Sequence, residues 1–111
     1  MRQCLELGLK KDDVWVDPGI GFGKTVQHNL DLLRRLDKLE GVGGRLVIGT
    51  SRKNFIGKVA GNEKLPIAER LPGTISTHLF AYTLGASVFR VHDVKEMKRA
   101  LQMWNAISFG L

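Results

Sequence analysis

Asp17-Pro18-Gly19-Ile20-Gly21-Phe22-Gly23-Lys24, led in by Val14-Trp15-Val16, is the stretch on which the reading of this chain turns. The three apolar, β-prone residues predict a strand that delivers a carboxylate to its C-terminal end. Pro18 cannot donate to a sheet ladder and biases Asp17 toward extended backbone. The three glycines allow a tight path and leave their amides uncovered. A carboxylate beside a concave row of N–H donors suits a flat ligand with an amidine-like edge and an anionic tail. An ordinary strand-to-helix turn has the same composition, so the stretch needs company before it means function. Two nucleotide motifs are excluded. Gly23-Lys24-Thr25 resembles the end of a phosphate loop, but Pro18 stands where that loop needs glycine, and the glycines at 19, 21 and 23 fall one residue short of G-x-G-x-x-G.

Working outward, three strand–loop–helix units emerge. Residues 2–9 read as the tail of a helix. After the glycine turn, residues 28–40 carry Leu30, Leu32, Leu33, Leu36 and Leu39 at helical spacing, with Asn29 or Thr25 as N-cap. Glycines at 41, 43 and 44 end that helix. Leu46-Val47-Ile48 is a wholly apolar run, as expected of a parallel strand covered on both faces. Thr50-Ser51-Arg52-Lys53-Asn54 follows at its C-terminal end, where α/β folds put their chemistry. Residues 58–64 read as a polar loop and 66–70 as one helical turn broken by Pro72-Gly73. A helix over 74–84 has Ile75, Leu79 and Tyr82 on one stripe, and His78 within its reach reads as structural. Residues 87–91 form a third strand, and alternation puts Arg90 and His92 on one side as an anion clamp. A closing helix over 95–107 points Met97, Leu101 and Trp104 inward.

Helical crossovers between strands predict a parallel, right-handed α/β sheet. Three strands alone leave two edges unpaired, which predicts part of something larger. The chain's 111 residues allow one domain with a core, and 43% apolar with 25% charged residues argues against disorder. The net charge of +6 comes from 17 basic and 11 acidic residues. The basic residues are scattered without interleaved aromatics, a pattern that favours an anionic small molecule over nucleic acid. Cys4 is the only cysteine, so no internal disulfide and no cysteine metal site is expected, in keeping with a reducing cytoplasm. No signal peptide or membrane-length apolar run is present in the sequence.

Four motifs in this order carry a resemblance: residues 17–24, Ser51-Arg52-Lys53-Asn54-Phe55-Ile56-Gly57, Glu69-Arg70-Leu71-Pro72-Gly73-Thr74 and Arg90-Val91-His92-Asp93-Val94. Together they resemble the C-terminal part of bacterial dihydropteroate synthase over essentially all 111 residues. The resemblance implies the last three strand–helix repeats of a (β/α)8 TIM barrel, with residues 1–111 a partial pterin-binding domain. It implies a cytoplasmic transferase of folate biosynthesis and a sulfonamide target. In that reaction p-aminobenzoate's amine displaces pyrophosphate from the methylene of hydroxymethyl-dihydropterin pyrophosphate.

By the same resemblance Asp17, Lys53 and Arg90 bind the pterin. Phe22, Ser51, Arg52 and Asn54 border the p-aminobenzoate side, and Arg90 with His92 holds the pyrophosphate. No residue serves as nucleophile. Many members have serine where this chain has Asn54. The resemblance further implies Mg²⁺, with its ligand in an N-terminal part and no metal ligand in this chain. It implies a homodimer through helices near the C-terminus, no nucleic-acid or membrane partner, and little activity for this chain by itself. The alternatives are a pterin-binding methyltransferase module, which would have no pyrophosphate to hold, and a non-catalytic half-barrel that binds a partner half.

Overall fold

The computed structural model describes residues 6–21, 24–39 and 41–111. Strands β1 (Trp15–Val16), β2 (Arg45–Ile48) and β3 (Ala86–Phe89) form a parallel sheet in the order β1-β2-β3. Val16 is in register with Leu46, Leu46 with Ala86 and Ile48 with Phe89, with an irregularity between Leu46 and Val47. The central strand is buried from Leu46 to Ile48, as its unbroken apolar run requires. The helices are α1 (Val26–Arg34), α2 (Asn54–Val59), α3 (Leu71–Thr83) and α4 (Val94–Phe109). One core joins sheet to helices: Ile20, Leu33, Leu36, Leu46, Ile48, Phe55, Ile56, Ala81 and Ala86.

Several boundaries differ from expectation, each for a local reason. The helix expected over 28–40 begins earlier, with Thr25 as its cap accepting the His28 amide at 3.1 Å. It ends at Arg34, and a 3₁₀ turn over Leu36–Leu39 follows. The tighter turn leaves Leu36 fully buried and sets Leu39 against the core. Residues 54–59 form α2, a helix not anticipated from the sequence, and its end overlaps the polar loop expected from residue 58. Six residues are too few to show a period, but Phe55 and Ile56 are both buried.

Pro72 does not break a helix. It lies in the first turn of α3, where its missing N–H has no intrahelical partner to lose. The buried stripe of α3 is Thr74, His78 and Ala81, while Ile75, Leu79 and Tyr82 are half-buried beside it. Met97 is buried on α4 and Leu101 half-buried, but Trp104 stays 37% exposed. Most of the helix expected over 2–9 lies outside the described residues. Among the described residues no helix is long and apolar enough to cross a membrane.

Candidate functional site at the strand ends

Each strand's C-terminal end contributes to one surface. After β1, Asp17 folds back on its own turn, Oδ1 accepting the Gly19 amide at 2.8 Å. The glycine loop is pinned from three sides. Ile20 is buried in the core, the Gly21 amide donates to the buried Asn29 side chain at 2.7 Å, and Lys24 Nζ donates to the Gly19 carbonyl at 2.8 Å. Gly21 has φ +88°, and a Cβ there would strike the stem of Lys53. The absent side chain lets the loop close on Lys53, whose Nζ donates to the Ile20 carbonyl.

After β2 the backbone is held residue by residue. The Thr50 amide donates to His78 Nε2 at 3.2 Å, and the Thr50 and Thr77 hydroxyls meet at 2.5 Å. Ser51 Oγ accepts the His92 amide at 3.0 Å and stands 2.8 Å from His92 Nδ1. Arg52 has φ +59°, the only positive φ outside glycine among the described residues. Three partners hold it there. Its amide donates to Thr74 Oγ1 at 3.1 Å, and its carbonyl accepts from Arg70 Nη1 at 2.9 Å. Its guanidinium donates to Asp93 at 2.9 and 3.3 Å. Arg70 also donates to Asn54 Oδ1 at 3.0 Å and to the Leu65 carbonyl at 2.9 Å, so one buried guanidinium ties this loop to the next.

After β3, Arg90 continues the ladder, its amide donating to the Ile48 carbonyl at 3.0 Å, and its guanidinium reaches across the sheet end to Asp17. Gly49 makes room for that crossing, since a Cβ there would lie 2.9 Å from Arg90 Nη2. Arg90 and His92 do come to one cavity of about 150 Å³, lined also by Gly49, Ser51 and Lys53. Beside it lies a cavity of about 340 Å³, lined among others by Lys24, Arg52, Lys53, Asn54 and Lys58. Lys53 belongs to both.

The electrostatics follow from this crowding. Desolvation pushes the Lys53 ammonium below the ordinary lysine value; Arg90 and Lys24 push the same way and Asp17 opposes them. The hydrogen bond from Arg52 holds the Asp93 carboxyl below the usual range. Desolvation, with a smaller push from Lys53, lowers His78 to about 4, so this buried imidazole is neutral. Its role is structural, as its place on an apolar stripe suggests.

Asp17, Lys53 and Arg90 are thus neighbours, Ser51 and His92 form a pair, and Arg52 and Asn54 line the larger cavity with Lys53. Phe22 lies outside the described residues. Sequence reasoning gave no role to Arg70, Thr74 or Asp93, which fix the loop that bears the site. The available signal was their membership in the quoted motifs. Asn29, read as a possible cap, instead receives the glycine loop.

The sequence matches the family described as "Pterin binding enzyme" over residues 1–92, and the chain belongs to that family. Dihydropteroate synthase of Neisseria meningitidis serogroup C is 40% identical over 110 residues, covering 98% of this chain and 38% of the relative. Dihydropteroate synthase from Xanthomonas albilineans, solved in complex with 7,8-dihydropteroate, superposes with a TM-score of 0.90 at 35% identity, over 97% of this chain and 40% of that one. The same enzyme with 4-aminobenzoic acid gives 0.89 at 37% identity, over 97% and 41%. The chain spans about two-fifths of the length of the proteins it matches. The fold is accordingly three parallel β/α units matching part of the dihydropteroate synthase barrel.

Proposed function

We propose that the chain supplies the pterin- and pyrophosphate-handling strand ends of a dihydropteroate synthase. The observation that carries this reading is the convergence of Lys53, Arg90 and His92 on one cavity, with Lys53 shared by the adjoining larger one and Arg90 bonded to Asp17 at the first strand end. In this reading Asp17 accepts hydrogen bonds from the amino edge of the pterin, and Lys53 donates to its oxygen and nitrogen side. Arg90 lies against the ring and, with His92, meets the pyrophosphate. The larger cavity takes p-aminobenzoate, bordered by Arg52 and Asn54, with Phe22 and Ser51 nearby.

The p-aminobenzoate nitrogen attacks the pterin methylene, the bond from that carbon to the pyrophosphate oxygen breaks, and the nitrogen gives up a proton. No protein nucleophile is needed. These residues act by orienting the two reactants and by stabilising charge that develops on the leaving group. A partly desolvated Lys53 strengthens its hydrogen bonds to the ligand.

The residues at hand do not make a site for the Mg²⁺ that the resemblance implies, because among the described residues no three His, Cys, Asp or Glu side chains gather. Its ligand is assigned to the rest of a longer barrel, and no step here runs through it. The same reading takes residues 1–111 as the C-terminal portion of the pterin-binding domain, the protein as cytoplasmic and the full barrel as a homodimer through α3 and α4.

The test is calorimetric titration of the purified chain with a pterin pyrophosphate analogue, alone and mixed with a complementary N-terminal half from a relative. With hydroxymethyl-dihydropterin pyrophosphate and p-aminobenzoate supplied in place of the analogue, turnover is expected only in the mixture, and it should vanish with Asp17→Asn. Dihydropteroate formed by the 111-residue chain alone would contradict the shared-site reading. Absence of binding in both arms would remove the functional assignment.

A further inference from the structure

We propose that Ser51 is a positioning residue for His92, fixing the imidazole as the tautomer that presents Nε2–H to an anionic ligand in the cavity formed with Arg90 and Lys53. The inference deepens the functional reading above and rests on it for the identity of the anion as pyrophosphate.

The argument is one of donors and acceptors. Ser51 is buried, and its hydroxyl has one hydrogen and two lone pairs. The His92 amide can only donate, and at 3.0 Å it occupies one lone pair. Among the described residues the other partner of that hydroxyl is His92 Nδ1, at 2.8 Å. The hydroxyl hydrogen therefore goes to Nδ1, since the opposite arrangement would leave a buried O–H without an acceptor. With Nδ1 accepting, the ring proton sits on Nε2, at the end of an exposed side chain that lines the same cavity as Arg90 and Lys53.

Three groups facing that cavity are then donors, a set suited to a multiply charged oxyanion. The pair is braced from the next residue, because Asp93 is held by both nitrogens of the Arg52 fork. Ser51 and Arg52, consecutive on one strand end, thus grip His92 and Asp93, consecutive on the next. A hydroxyl at position 51 sets which way the imidazole points and which nitrogen carries the proton.

Two readouts on the whole chain decide this. Long-range ¹H–¹⁵N correlation spectra report which His92 ring nitrogen carries the proton in the absence of ligand. The expected pattern is an unprotonated Nδ1, kept in Ser51→Thr and lost to a mixture in Ser51→Ala. The second readout is calorimetric binding of inorganic pyrophosphate. Ser51→Ala is expected to weaken it about five- to tenfold, whereas Ser51→Thr stays within about twofold. In a His92→Ala background, Ser51→Ala should add no further loss, because its effect runs through the ring.

A protonated Nδ1 in the unmodified chain overturns the proposal, as does an undiminished effect of Ser51→Ala without His92. The spectrum of the unmodified chain decides even if Ser51→Ala fails to fold. If that chain shows the Nε2–H tautomer but does not bind pyrophosphate, the positioning role stands and the functional reading is what fails.

Discussion

Acid should destabilise this protein through one buried imidazole, His78. The ring is fully buried between Thr50 and Phe89, with the two ring centroids 5.2 Å apart. Its Nε2 accepts the Thr50 amide at 3.2 Å, so its proton is on Nδ1, which has no hydrogen-bond partner among the described residues. Protonation would put a second N–H against the Thr50 N–H, in a site that already disfavours charge. The folded-state value is lowered from 6.5 to about 4. A folded value below the unfolded one means that the unfolded chain binds the proton first as pH falls. Stability is therefore intact above about pH 6.5 and is lost on the way down to about pH 4.

Between pH 7 and 4.5 the loss comes to about 2.5 kcal/mol, a large share of the roughly 5–15 kcal/mol that holds a small domain together. His78→Leu removes the titration but leaves the Thr50 amide without its acceptor, at about 1–3 kcal/mol. Urea unfolding from pH 7.5 to 4.5 should show the variant less stable at neutral pH, with its deficit closing as pH falls. A variant whose stability declines in parallel with that of the unmodified chain would refute the reasoning.

Arg70→Met should destabilise by about 1–3 kcal/mol, because it removes a buried charged donor from the Arg52 and Leu65 carbonyls and the Asn54 side chain; the urea midpoint measures it, with the 52–54 loop expected to lose amide-exchange protection first. Gly73→Ala places a methyl on the Ile56 side chain of α2, and should lower stability by about 1–3 kcal/mol, read as a shift in thermal midpoint. Arg52→Gly should be more stable than Arg52→Ala: both lose the Asp93 pair, but only glycine accepts the +59° φ without strain. The order of their urea midpoints is the measurement.

Glycine, proline and charge mark this fold well where they serve local geometry. The Asp17 strand end, the glycine loop and the buried run at Leu46 to Ile48 could each be read from neighbours in sequence. What escaped reading is non-local or too short to have a period. Ser51 meets His92 across 41 positions, and Arg70 reaches Arg52 across 18. No local pattern announces either. The six residues of α2 give no repeat, and Pro72 was misread because a proline that breaks a helix interior is harmless in its first turn. Trp104 is more exposed than the spacing of α4 implies, while its neighbour Asn105 meets α3, accepting the Tyr82 hydroxyl at 2.9 Å.

The contact between Arg90 and Asp17 alters what occupancy of this surface would mean. With the guanidinium already seated on the carboxylate, a ligand bearing an amidine-like edge exchanges one charge-assisted contact for another. Added salt weakens the internal contact as well as the incoming one, so association of such a ligand should vary little with ionic strength. A simple oxyanion offers Asp17 nothing in return and must draw the guanidinium from it, so its binding at Arg90 should be the weaker and should fall further as salt rises. The protein thus carries its own competitor, and the guanidinium released by one ligand becomes available to the anion that accompanies it.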